Sequence, residues 1–412
     1  MPEFLQLVPI QDAIGRLLTH LPEKSLLATE SIPTIDAHSR VLAEPIQAPH
    51  PLPEFPRSTV DGYAVQAADT FGASTSLPAY LKLAGEILMG QRAELSLQGS
   101  QAALIHTGAM LPQGADAVVM LEDTQAMGDE EIEILRPVAV GENIIEVSED
   151  VAEGEIVIPA GKRIRAQEIG GLLALGYTQV RVFLRPRIGI ISSGDEIVAP
   201  DETPALGQVR DINSYTLSSI ITRHGGEAII RGVTKDRLEE LQSLVENSHR
   251  DDDLVVVTAG SSVSARDLTA QAFSSLGEPG ILVHGIGIKP GKPTILAVAD
   301  GVPVVGLPGN PVSALVVGSL ILPAILDRLY GLPRNRHLAH INAQLSTNVA
   351  SQTGREDFQP VRLWEDETGV HADPIYGRSN LIFTLVRADG LLVIPSESTG
   401  YEAGSMVQII PF

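Results

Sequence analysis

The period of hydrophobic and polar positions changes along the chain, and the changes divide it into four regions. From 10 to about 45, "IQDAIGRLL" carries apolar residues at helical spacing, and a loop and the short extended piece "RVLAEPI" follow. This reads as a packing and linking element. From 49 to about 150 the chain opens with four prolines in eight residues (Pro49, Pro51, Pro53, Pro56), which stiffen it into an extended conformation. Short β-like runs come next: "AYLKLAG", "AALIHTG", "AVVMLED" and "EIEIL". Their length, and the Gly and Pro between them, predict a small, mostly β domain. From 183 to about 332 strands and helices alternate: "RIGIISS", a helix near 211 to 224, "EAIIRGV", a helix over 236 to 248, "DLVVVTA", and a helix from about Asp267. That alternation predicts βαβ crossovers and a parallel sheet. "DLVVVTA" is apolar on both faces, as a central strand covered by helices should be. From 335 to 412 several short strands, among them "DGLLVIP" and "MVQIIPF", predict a small β-barrel or sandwich without a convincing helix.

Composition narrows the function classes. The 412 residues exceed what one hydrophobic core serves, so several domains are expected. There are no cysteines, which excludes disulfides, thiolate metal sites and cysteine nucleophiles and fits a reducing cytoplasm. The first residues lack a secretory pattern. The longest apolar run, "ALVVGSLILPAIL" (314 to 326), is interrupted by Ser319 and Pro323 and falls short of the roughly 20 residues of a membrane span; it reads as a buried helix. A net charge of −22 argues against nucleic-acid binding, which needs Lys and Arg against phosphates. Any anion must therefore be held by a local basic cluster. "KPGKP" (289 to 293) is such a cluster: it holds two of only six lysines, Lys289 and Lys292, on a turn fixed by two prolines and a glycine.

Ligands of open parallel sheets lie outside the carboxyl ends of the strands, so the loops there are the place to look for chemistry. Three are informative. After "RIGIISS" come Gly194, Asp195 and Glu196, with adjacent carboxylates on a tight turn. After "DLVVVTA" comes "GSSVSARD" (260 to 267), whose Gly260, Ser261 and Ser262 permit close backbone approach and which ends in Asp267 at a helix start. After "GVPVVG" comes "LPGNP", with Pro308, Gly309, Asn310 as N-cap and Pro311 as first helical residue. A helix start offers N–H groups to anions, and the carboxylates beside it could hold Mg²⁺. Each feature also has an ordinary structural reading. The carboxylates could form a solvated turn, Asp267 and Asn310 could be simple caps, and the lysines could be solubilising charges on a hairpin edge. The ten histidines are scattered without zinc-site spacing, and none is marked as a partner for the serines of "GSSVSARD".

Seven motifs in order, "STVDGYAV" (58 to 65), "HTGAMLPQGADAVVMLEDT" (106 to 124), "SEDVAEGEIVIPAGKRI" (148 to 164), "IGIISSGDEIV" (188 to 198), "VRDINSYTL" (209 to 217), "IKPGKP" (288 to 293) and "GLPGNPVSAL" (306 to 315), give the chain a resemblance to the molybdopterin molybdenumtransferases, the MoeA family that includes the E domain of gephyrin. The resemblance covers the chain from about residue 8 to its C-terminus. It implies an α/β multidomain protein with an elongated linking domain of two segments (1–45 and 151–182), an inserted mostly-β domain (46–150), an α/β molybdopterin-binding domain related to the adenylyltransferases (183–332) and a C-terminal β-barrel domain (335–412). It implies molybdenum cofactor biosynthesis by a homodimer. The reaction it implies inserts molybdate at the dithiolene of adenylylated molybdopterin, supplied by an upstream molybdopterin adenylyltransferase, with AMP leaving in a Mg²⁺-dependent step.

Carried over motif by motif, the resemblance implies Lys289, Lys292, Arg355 of "GREDF" and Ser379 of "GRSN" as the molybdate pocket. Asp61, Thr107, Asp150, Glu196, Asp236 and Asp267 take catalytic roles, Glu196 and Asp267 also meeting the metal. The loops at 260–262 and 308–311 hold the substrate's phosphates, and Asp61, Thr107 and Asp150 complete the cleft across the dimer interface. The chain departs from the family pattern in two places. "TAGSSVSARD" is one residue shorter than usual, with Ser261 where a second Gly is expected, and Gly285 stands where many members carry a basic residue. Two other functions stay open on the sequence: a non-catalytic molybdopterin-binding scaffold, and an adenylyltransferase acting one step earlier.

Overall fold

The computed structural model describes residues 7–259, 263–333 and 339–412, with 263–267 as backbone only. Two distant segments build the linking region. Strands Thr29–Pro33 and Gln179–Phe183 pair antiparallel, and Leu42, Ile46, Ile158, Ile164, Leu172 and Val182 share one buried core. The helix Ala166–Ala174 starts at a capping box in which Glu168 accepts the Arg165 N–H at 2.9 Å. The first helix, Ile10–Leu18, is a packing element. Its apolar stripe (Ile10, Ala13, Ile14, Leu17, Leu18) is buried in the α/β core beside the helix Pro311–Leu329, where a large apolar surface is available to cover it.

The inserted region is a six-stranded sheet in the order Ala117–Met120, Gly62–Val65, Gln101–Ile105, Ala79–Ile87, Glu131–Ile134, Thr124–Met127. Successive residues point to opposite faces, so Ala102 enters one core with Val119 and Ile132 while Ala103 enters a second with Ile87 and Val118. Gly62 is required by proximity: a Cβ there would lie 2.0 Å from the Val119 carbonyl oxygen. Asp61 immediately precedes this close approach.

The α/β region has strands in the order Glu227–Thr234, Arg187–Ser193, Leu254–Ala259, Val302–Pro308, Ile295–Ala299, Pro279–His284. The first four run parallel, and the last two add antiparallel pairs at the edge. Every residue of Leu254–Ala259 is buried, as its two-faced apolar run predicts. Register places Ser193 opposite both Thr234 and Ala259, and Ala259 opposite Pro308. Four strand ends therefore form one row about 15 Å long at the usual strand spacing. The helix Pro311–Leu329 buries Val316, Val317, Ile321, Leu322, Ile325 and Leu326 in the α/β core; it is the buried helix that 314–326 predicts, although it is long and apolar enough to cross a membrane.

In the C-terminal region Glu356–Asp366, Gly369–Pro374, Ile341–Leu345, Met406–Pro411 and Gly390–Ile394 close on one another as a five-stranded barrel, since Glu356–Asp366 pairs with both the second and the last. One short helix, Phe383–Val386, interrupts it. A sixth strand comes from the α/β region: Ile288–Lys289 pairs parallel to the barrel, Ile288 opposite Glu356 and Lys289 opposite Asp357. The lysine turn is thus shared between two domains.

Candidate functional site

The row of strand ends gathers three of the carboxylates singled out in the sequence, Asp195, Glu196 and Asp236. Gly194 donates its N–H to the Thr234 carbonyl at 3.0 Å, which brings the 194–196 turn against the end of the neighbouring strand. Ser193 Oγ then donates to Asp236 Oδ1 at 3.0 Å, and the Asp236 N–H points at Asp195 Oδ1 at 3.4 Å. Glu196 is exposed beside them. Asp195, Glu196 and Asp236 thus form one acidic rim with oxygen donors for a hard cation. No group of three metal-ligating side chains is present among the described residues. A cation here would have to complete its shell with oxygens of a ligand or water.

Gly260, Ser261 and Ser262 lie outside the described residues, as does the side chain of Asp267. The helix that carries Asp267, Val263–Ser274, begins four residues before it, so Asp267 sits in the second turn and not at the helix start that the sequence predicts. The cause is that "VSAR" is compatible with helix and simply extends it.

The "LPGNP" loop begins in register with the row, with Pro308 buried at its strand end. Asn310 occupies the N-cap position and Pro311 the first helical one, but the Asn310 side chain does not cap. Its Nδ2 donates instead to Ser379 Oγ at 2.9 Å, and the Val312 N–H goes to the Ser379 carbonyl at 3.0 Å. The helix start is therefore held by the barrel's "GRSN" loop, and Ser379 meets the nucleotide-loop candidates before it meets the lysines. On the other side Asn213 Nδ2 donates to the Gly309 carbonyl at 2.8 Å. Asn213 was not among the residues the sequence marked, although it stands in "VRDINSYTL".

The lysine turn is tightly built. Ile286 N–H donates to the Lys292 carbonyl at 3.0 Å, and Thr294 Oγ1 to that of Gly291 at 2.8 Å. Gly291 has φ +120°, and a Cβ there would fall 2.3 Å from Val317 Cγ2 on the 311–329 helix. Only glycine lets the turn lie so close to that helix. Lys289 Nζ donates to Asp357 Oδ2 at 2.7 Å, and Ser351 Oγ donates to the same oxygen at 2.9 Å. Asp357 is 4 % exposed. Lys292 is exposed, Arg355 half-buried, and neither has an ion-pair partner among the described residues. The Glu356 N–H reaches the Gly287 carbonyl at 2.9 Å, which keeps Arg355 next to the turn. Gly285 adopts φ +102°, a conformation that disfavours any side chain, so the missing basic residue is matched by the backbone.

A second cluster stands on the inserted sheet. Asp61 Oδ1 accepts the Thr107 N–H at 2.8 Å and its hydroxyl at 3.2 Å. These bonds, the backbone one foremost, hold the Asp61 carboxyl below its ordinary range, with His106 adding a smaller pull. His106 Nε2 lies 2.8 Å from Glu86 Oε1, and its Nδ1 3.9 Å from Asp61. Asp150 is exposed, and its N–H donates to the Leu52 carbonyl at 3.0 Å. The inserted sheet and the strand-end row have separate cores, and no hydrogen bond or ion pair among the described residues joins 57–145 to 183–412. A groove of about 1190 Å³ lies apart from both clusters, between the outer faces of the 10–18, 213–223 and 311–329 helices and residues 382–412; none of the sequence-predicted site residues lines it.

Comparisons with known proteins cover nearly the whole chain. Residues 8–176 match the MoeA N-terminal region (domains I and II), 189–327 a probable molybdopterin binding domain, and 342–412 the MoeA C-terminal region (domain IV). A molybdopterin molybdenumtransferase of Nostoc sp. is 31% identical over 93% of this chain and 88% of its own; that of Bacillus subtilis is 30% identical over 98% and 94%. A crystal structure of the molybdopterin biosynthesis moeA protein from Pyrococcus horikoshii OT3 superposes with a TM-score of 0.84 at 31% identity, covering 99% of this chain and 100% of that one. The chain belongs to the MoeA family.

Proposed function

We propose that this chain is a molybdopterin molybdenumtransferase: it inserts molybdate at the dithiolene of adenylylated molybdopterin and releases AMP, completing the molybdenum cofactor. The observation that carries the reading is the shared lysine turn. Lys289 and Lys292 stand on the turn where the α/β domain adds a strand to the barrel, and Arg355 precedes the barrel strand that pairs with it, in a chain that is otherwise strongly acidic. A small tetrahedral dianion needs such a compact cationic seat, and the rigid turn preorganises it. The flanking matches also favour this step over the preceding adenylylation, because they extend the likeness beyond the α/β domain to both ends of the chain.

Roles follow from placement. Lys289, Lys292 and Arg355 hold molybdate, with Ser379 linking that seat to the 308–311 loop. Pro308 to Pro311 face the substrate's phosphates, and Gly260, Ser261 and Ser262, outside the described residues, take the same role on the family resemblance alone. Glu196, Asp236 and Asp267 sit on the strand-end side and orient the phosphoanhydride. Mg²⁺ fits this acidic rim as a hard cation shared between protein carboxylates and substrate phosphates, where it would neutralise charge on the departing AMP. Asp61, Thr107 and Asp150 complete the cleft from a second copy of the chain in a homodimer, since their sheet has a core of its own. The upstream partner is the adenylyltransferase that makes the substrate, and the work is done in the cytoplasm. Equilibrium dialysis with molybdate tests the seat. The Lys289→Ala/Lys292→Ala variant should lose retention, and retention at the wild-type level would refute it.

A further inference from the structure

We infer that Asn213 is a ligand-recognition residue of the strand-end cleft, its Oδ1 accepting a hydrogen bond from a neutral N–H or O–H group of the bound pterin or nucleoside. The inference rests on the substrate reading above. Asn213 opens the helix Asn213–Arg223 and is 6 % exposed. Its surroundings are fixed. Asp211, itself buried, accepts the Ser214 N–H at 3.1 Å. Ser214 Oγ lies 3.0 Å from Ser192 Oγ, which lies 3.0 Å from Thr258 Oγ1. This buried hydroxyl chain ties the first turn of the helix to the ends of two strands in the row.

Asn213 Nδ2 is committed to the Gly309 carbonyl. Its Oδ1 is buried and has no hydrogen-bond partner among the described residues. A buried acceptor without a donor costs free energy that solvent would otherwise recover, and the Nδ2 anchor prevents the amide from rotating to find one. Because the amide is planar and short, Oδ1 stays beside the 306–311 loop that Nδ2 clamps. An amide oxygen carries no hydrogen, so phosphate or molybdate cannot satisfy it. A heterocyclic N–H, an exocyclic amine or a sugar hydroxyl can.

Titration calorimetry of the full chain with AMP, neopterin and molybdate, for wild type, Asn213→Ala and Asn213→Asp, tests this. In Asn213→Ala, AMP or neopterin should bind at least about tenfold more weakly while molybdate stays within about twofold. Which probe weakens identifies the part of the ligand that donates. Asn213→Asp keeps an acceptor oxygen but gives up the Nδ2 bond to the Gly309 carbonyl, so it should recover only part of the affinity for that probe. If both probes bind Asn213→Ala as they bind wild type, or if molybdate weakens by the same factor, the amide is only a loop clamp and the inference fails. If wild type binds neither probe, the substrate reading itself fails and takes the inference with it. Should Asn213→Ala not fold, Asn213→Ser replaces it with the same expected losses.

Discussion

Lys289 Nζ donates to Asp357 Oδ2 at 2.7 Å across the seam where the α/β domain lends a strand to the barrel, so one lysine of the turn proposed to hold molybdate also ties two domains together. Asp357 is buried and Lys289 half-exposed, and removing the lysine leaves the carboxylate with Ser351 as its one side-chain partner among the described residues. Lys289→Ala should cost about 1–2 kcal/mol in urea unfolding, discounted from a fully buried pair because solvent screens the lysine. Lys292→Ala breaks no ion pair and should stay within about 0.5 kcal/mol of wild type. Both should lose molybdate binding. Equal stability of the two variants would show that the seam pair carries no weight.

Gly291 separates strain from collision. Gly291→Ala meets both a φ of +120° and Val317 at 2.3 Å, whereas Gly72→Ala meets a φ of +84° with nothing within 4 Å. The first should lose at least about 2 kcal/mol and distort the molybdate seat, and the second should lose less and bind normally. Thermal unfolding with molybdate dialysis checks both.

How much of this was legible in the sequence depended on the range of the interactions. "DLVVVTA" declared a central strand because its burial is written in its own residues, and "KPGKP" declared a cationic turn for the same reason. Asp357 did not declare itself: a lone aspartate in a strand has no local signal, and its meaning comes from a lysine carried to it on the strand that the α/β domain adds to the barrel. Asn310 looked like a cap because N-cap preference is local, and it was drawn away by Ser379 on another domain. The 10–18 helix had the right period, but periodicity marks an apolar face without saying what covers it, and here the α/β core does.

Glu168 gives the acid limb of stability. Bonds from the Arg165 side chain hold its carboxyl at about 2, against an ordinary 4.5, although burial pulls the other way. A depressed folded value stabilises the protein above pH 4.5, and the contribution is lost as pH falls toward 2. Between pH 6 and pH 3 wild type should lose on the order of 1–2 kcal/mol more than Glu168→Gln, since Arg165 is half-exposed and screened. Parallel urea curves at the two pH values decide the matter.

Asp61 should be needed as a carboxylate. Asp61→Asn should fold normally, being exposed, and lower AMP release at least about a hundredfold. Thr107→Val removes the hydroxyl donor and keeps the backbone N–H, so the Asp61 carboxyl rises and the acid limb of the rate profile moves to higher pH. An acid limb that stays in place would separate Asp61 from the chemistry.

The most direct test is a turnover experiment with adenylylated molybdopterin and Mg²⁺, following AMP release with and without molybdate. Release should require molybdate, yield molybdenum bound to the pterin, and fail in Lys289→Ala/Lys292→Ala. AMP release indifferent to molybdate, or substrate bound and never cleaved, would contradict the proposed function.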